Sequence, residues 1–68
     1  MDLPIETELE VDGRWIAAVP ILPGVLVYGP TEADAVHRVK ALALRVIADR
    51  LDNGELTPAP TTVNFIAA

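Results

Sequence analysis

A chain of 68 residues with a net charge of −5 and no cysteine has room for one small domain, residues 1–68, near the size at which a single apolar core barely offsets the entropy of folding. Its apolar half (51%) excludes a disordered tail. The longest apolar stretch, Trp15 to Tyr28, is broken by Pro20, Pro23 and Gly24, which excludes a membrane span. The start "MDLPIETE" has none of the basic residues of a signal peptide, so a cytoplasmic protein is expected, and the thin core predicts a homo-oligomer.

In "LPIETELEV" the apolar residues Leu3, Ile5, Leu9 and Val11 alternate with Glu6, Glu8 and Glu10, the period of a half-buried strand. Asp12-Gly13 then reads as a two-residue hairpin turn. Such a turn pairs Val11 with Arg14, Leu9 with Ile16 and Thr7 with Ala18, and places the glutamates on one face with Trp15, Ala17 and Val19. "PILPG" turns the chain, "VLVY" (25–28) forms a third strand, and Gly29-Pro30 stops it.

Thr31 follows as a helix N-cap with Asp34 three residues on. Ala35, Val36, Val39, Leu42, Ala43, Val46 and Ile47 fall on one helical stripe. Leu44 and Leu51 lie at its edge, where they either widen the core, the reading adopted, or meet another chain. Asn53-Gly54 stops the helix, "LTPAP" (56–60) is an extended linker, and "TTVNFIA" forms a fourth strand with Val63 and Phe65 toward the helix. The expected fold is α+β: β-β-β-α-β, one small, mainly antiparallel sheet with a single long helix on one face.

The chemistry is sparse. Without Ser or Cys the common nucleophilic triads cannot be built, and His37, the one histidine, belongs to the polar helix face. Glu6, Glu8 and Glu10 are too widely spaced along a strand to converge on one ion. Tyr28 reads as a buried ring. No Gly-rich phosphate loop is present. The expectation is a protein with no enzymatic activity, no metal and no cofactor. Asp2, Glu6, Glu8, Glu10 and Asp12 all precede the first base, a segment that repels a phosphate backbone and attracts a basic partner. Glu6, Glu8, Glu10, Asp12 and Trp15 are the candidate partner-binding residues.

The string "DGRWIAAVPILPGVLVYGPTEADAVHRVKALAL" resembles the HicB-like antitoxin family. Pro20, Leu22, Pro23, Gly24, Gly29, Thr31 and Ala35 match its Pro-x-Leu-Pro-Gly element, its Gly-terminated strand and its Thr-capped helix, and Gly54 with Pro58 and Pro60 matches its helix exit. Ile21 and Val25 stand where the family often has Asp and Cys. The resemblance implies a partial ribonuclease-H-like fold and a non-enzymatic role: binding and masking a small basic HicA-type toxin that cleaves mRNA. Many family members add a C-terminal DNA-binding module; here the expectation is a chain without one and without direct nucleic-acid binding. The competing readings are a structural homo-oligomerisation domain with no toxin and a degenerate metal-dependent nuclease.

Overall fold

The computed structural model describes residues 1–55 and 62–67. Four strands, β1 (Asp2–Leu9), β2 (Trp15–Ala18), β3 (Leu26–Gly29) and β4 (Asn64–Ala67), form one sheet in the order β3-β2-β1-β4. The helix α1 (Glu32–Asp52) packs on one face. The β1–β2 and β2–β3 pairs are antiparallel and β1–β4 is parallel, so the expected α+β architecture and element order hold. The linker 56–60 lies outside the described residues.

The hairpin register differs from the sequence expectation by one residue. Glu6 lies opposite Ala18, Thr7 opposite Ala17, Glu8 opposite Ile16 and Leu9 opposite Trp15. The loop has three residues, Val11-Asp12-Gly13: the Glu10 amide donates to the Arg14 carbonyl at 2.8 Å and the Gly13 amide to the Glu10 carbonyl at 3.0 Å. Gly13 takes φ +88°, the left-handed residue that follows a tight turn in such loops. The slip exchanges the faces. Trp15, Ala17 and Val19 turn toward the helix, and Ile16 and Ala18 join the glutamates.

Between β2 and β3 the prolines act through two successive turns. The Leu22 amide donates to the Val19 carbonyl and the Val25 amide to the Leu22 carbonyl, and Val19 N–H to Val25 O closes the loop. Pro20 and Pro23 occupy the second position of each turn, where their fixed φ is favoured, and Gly24 at φ +81° completes a type II turn. Leu22 and Val25 anchor this loop in the core.

The core consists of Leu3, Ile5, Ala17, Val19, Leu22, Val25, Ala35, Val39, Ala43 and Ile47, with Val36, Leu42, Val46, Val63 and Phe65 packed against it. The helical stripe and the inward phase of β4 are thus as expected. Leu44 and Leu51 do not widen the core: they are 47% and 38% exposed, because the stripe rests on the sheet along Ala35, Val39, Ala43 and Ile47. The Thr31 hydroxyl caps the helix by accepting from the Asp34 amide at 3.1 Å. At the other end Gly54 (φ +70°) allows its own amide to reach the Leu51 carbonyl and the Glu55 amide to reach the Arg50 carbonyl, satisfying groups that the last helical turn leaves open.

Gly29 is required for a different reason. A Cβ there would lie 2.6 Å from the Ala35 backbone nitrogen and 3.2 Å from the Ala35 Cβ, so β3 meets the helix start at a distance that leaves no room for a side chain at position 29. Gly29→Ala is expected to destabilise by about 1–3 kcal/mol through forced separation of strand and helix, and Thr31→Ala by about 1 kcal/mol through loss of the cap. Urea unfolding followed by circular dichroism checks both.

Candidate functional site

The sheet face away from the helix is uncovered among the described residues, and the register arranges it in two cross-strand rows. One row is Glu6–Ala18–Leu26 and the other Glu8–Ile16–Tyr28. Each runs from a carboxylate on β1 to apolar side chains on β2 and β3. Glu6, Glu8, Ile16, Ala18 and Leu26 line a shallow depression of about 240 Å³. Ile66, beside Pro4 on β4, adds another exposed apolar residue, and Asn64 Nδ2 donates to the Asp2 carboxylate at 3.3 Å at this end.

At the opposite rim Arg14 is clamped. Its Nε donates to Asp12 Oδ2 at 2.7 Å, and its guanidinium carbon lies 4.3 Å from the centre of the Tyr28 ring, within cation–π range. The Arg14 amide also donates to Asp12 Oδ1. These hydrogen bonds, the backbone one foremost, hold the Asp12 carboxyl below its ordinary pKa.

The expected partner-binding residues therefore separate. Glu6 and Glu8 stand together on the open face, and Glu10 lies at the mouth of the hairpin loop. Asp12 sits in the loop, engaged with Arg14. Trp15 is on the helix side, half-buried against the core; its expected place beside the glutamates is corrected by the three-residue loop. Tyr28, expected buried, is exposed and covered on one side by Arg14. His37 is exposed on the helix. Read from sequence, Ile16, Ala18 and Leu26 have no binding role; the structure turns Val25 and Val27 inward and so places Leu26, between them, on the open face.

A second concavity of about 180 Å³ lies on the helix side, where α1 leaves β4 partly uncovered; Ile5, Thr7, Val36, Phe65 and Ala67 line it with Glu32 and Lys40. Thr7 Oγ1 donates to Glu32 Oε2 at 2.9 Å, and Lys40 Nζ lies 5.8 Å from the Phe65 ring centre. Among the described residues no group of three or more His, Cys, Asp or Glu side chains is placed to hold a metal ion, and no helix is long and apolar enough to cross a membrane. No protein-family model matches the chain, and neither a curated protein nor a solved structure matches it.

The faces carry different duties, which mutation separates. Trp15→Ala is expected to cost about 2 kcal/mol of stability through lost packing, whereas Glu8→Lys is expected to shift it by less than about 0.5 kcal/mol. Urea midpoints at constant m-value decide this.

Proposed function

We propose that this protein is an antitoxin-like binding module that holds and masks a small basic HicA-type toxin, an mRNA-cleaving ribonuclease. The observation that carries the reading is the open sheet face, where Glu6 and Glu8 flank Ile16, Ala18 and Leu26. Carboxylates beside an apolar strip complement a basic protein, steering its approach and then desolvating against it. The resemblance of the Pro20–Ala35 segment to HicB-like antitoxins supports the same role, as does the net charge of −5. The structural motif residues Pro20, Leu22, Pro23, Gly24, Gly29, Thr31 and Ala35 serve by building the scaffold; binding falls to the face it exposes.

Exposed Leu26 and Ile66 on the same face favour a second reading, a homo-oligomerisation domain that covers this strip with its own copy. Sedimentation equilibrium of the wild type and Leu26→Lys separates the two. A wild-type oligomer dissolved by the substitution, with no basic partner bound, supports the second.

For the toxin reading, the test is binding to the product of the neighbouring gene, which this reading expects to be a small basic protein. Reversing Glu6 and Glu8 to Lys is expected to slow association at least about tenfold at low salt and to flatten its salt dependence, while Leu26→Asp speeds dissociation. Stopped-flow kinetics at two salt concentrations read both effects, and unchanged rates in folded variants overturn the assignment of this face.

A further inference from the structure

β3 lies at one side of the sheet, and the backbone that leads into and out of it is described without a break from β2 to α1. Because the Val19 amide bonds to the Val25 carbonyl, antiparallel alternation directs the backbone groups of Val25, Val27 and Gly29 toward β2 and those of Leu26 and Tyr28 outward. A side chain bears out this phase independently: Arg38 Nη1 donates to the Tyr28 carbonyl at 2.9 Å. Among the described residues, the Leu26 N–H and C=O and the Tyr28 N–H have no partner, which makes this an edge of the kind that pairs with another strand.

The edge is complementary to itself. Set antiparallel about a two-fold axis at Val27, two copies of β3 place Leu26 opposite Tyr28 of the second copy, and each of the two such pairs exchanges both N–H···O bonds. The Tyr28 carbonyl has two lone pairs and accepts the Leu26 amide of the second copy without releasing Arg38. Residues 25–29 carry no charged side chain, so nothing repels along the ladder. Leu26 and Tyr28, both exposed, become cross-strand neighbours between the copies, an apolar–aromatic pair.

The same axis aligns charges on the helices. Ala35 lies at Gly29, and Arg38 reaches back to Tyr28, so α1 returns antiparallel to β3. It advances about 1.5 Å per residue against about 3.3 Å in the strand, which puts Val27 level with Val39. Asp34 and Arg45 then stand at nearly equal distances, about 8 Å, on opposite sides of that level. Both are exposed and share a flank of the helix with Arg38, at spacings of four and seven, and Arg38 turns that flank toward β3. A two-fold axis at Val27 therefore sets Asp34 of one copy against Arg45 of the other.

We propose that β3 is a self-pairing edge: two copies of the protein join antiparallel at Val27 and merge their four-stranded sheets into one of eight strands, with Asp34 of each helix facing Arg45 of the other. Both helices lie on one face of the joint sheet and both sets of Glu6 and Glu8 on the other. The pairing leaves the acidic face uncovered and stands whichever reading of that face holds.

Sedimentation equilibrium of the full chain is expected to give a dimer at high micromolar concentration. A synthetic chain N-methylated at Leu26 keeps every side chain and the bonds to β2, because the methyl group projects outward; it is expected to be monomeric with the circular dichroism of the wild type. Hydrogen exchange at the Leu26 and Tyr28 amides is expected to slow at least about tenfold from dilute to dimeric samples. Asp34→Arg and Arg45→Asp are each expected to weaken the dimer about tenfold at low salt, and the double variant to restore it. A wild type that stays monomeric at millimolar concentration overturns the pairing. So does a dimer that survives the methylation, and if Leu26→Lys dissolves that dimer, association belongs to the open face instead. Should the methylated chain fail to fold, unslowed Leu26 and Tyr28 amides, or a double variant no tighter than either single one, overturn it.

Discussion

The register of the β1–β2 hairpin is the constraint on which the rest of the molecule depends. With a side-chain period of two, shifting the pairing by one residue moves every side chain to the opposite face. The three-residue loop Val11-Asp12-Gly13, held by the Glu10–Arg14 and Gly13–Glu10 backbone bonds, sends Ala17 and Val19 into the core beside Leu3 and Ile5. It leaves Glu6 and Glu8 across from Ala18 and Ile16. The Asp12 carboxylate takes both the Arg14 amide and its guanidinium, so the side chain next to the left-handed glycine fastens the loop that sets the pairing.

Once the faces are assigned, small residues decide how closely the helix lies. Ala35, Ala43 and Ala17 are fully buried, and Gly29 gives the Ala35 backbone the space of a missing Cβ. Close approach brings Val39 and Ile47 down onto the strands, a geometry expected to reward even modest side chains with dense packing. The double-turn loop from Pro20 to Gly24 then adds Leu22 and Val25 to the same core. The double turn, Gly29 and the Thr31 cap thus aim one helix across the sheet, leaving the other face uncovered among the described residues.

Much of this was legible in the residues because it is local. A Thr cap, a helical apolar stripe, an Asn-Gly stop and the alternation of Val63 and Phe65 with Thr62, Asn64 and Ile66 each depend on neighbours within a few positions. The hairpin register was not, because Asp-Gly fits both a two-residue turn and the last two positions of a three-residue loop, and each places glycine at positive φ. Val11 completed the alternating pattern of β1 yet is fully exposed in the loop. The candidate site inherited that ambiguity: Glu6 and Glu8 kept their shared face, but their apolar companions changed from Trp15, Ala17 and Val19 to Ile16, Ala18 and Leu26. Leu44 and Leu51 were equally undetermined, since helical spacing places them at the stripe's edge without saying where the sheet ends.

The most direct measurement is the set of nuclear Overhauser contacts between Hα protons across the hairpin, which are strong only between directly opposed residues that do not exchange backbone hydrogen bonds. The observed register places Thr7 opposite Ala17 and Leu9 opposite Trp15, and contacts between those pairs are the expected result. Contacts joining Glu8 to Ala17 and Glu10 to Trp15, the non-hydrogen-bonded pairs of a two-residue turn, would contradict it, return Trp15 to the face of the glutamates, and dismantle the acidic-to-apolar rows on which the proposed partner recognition rests.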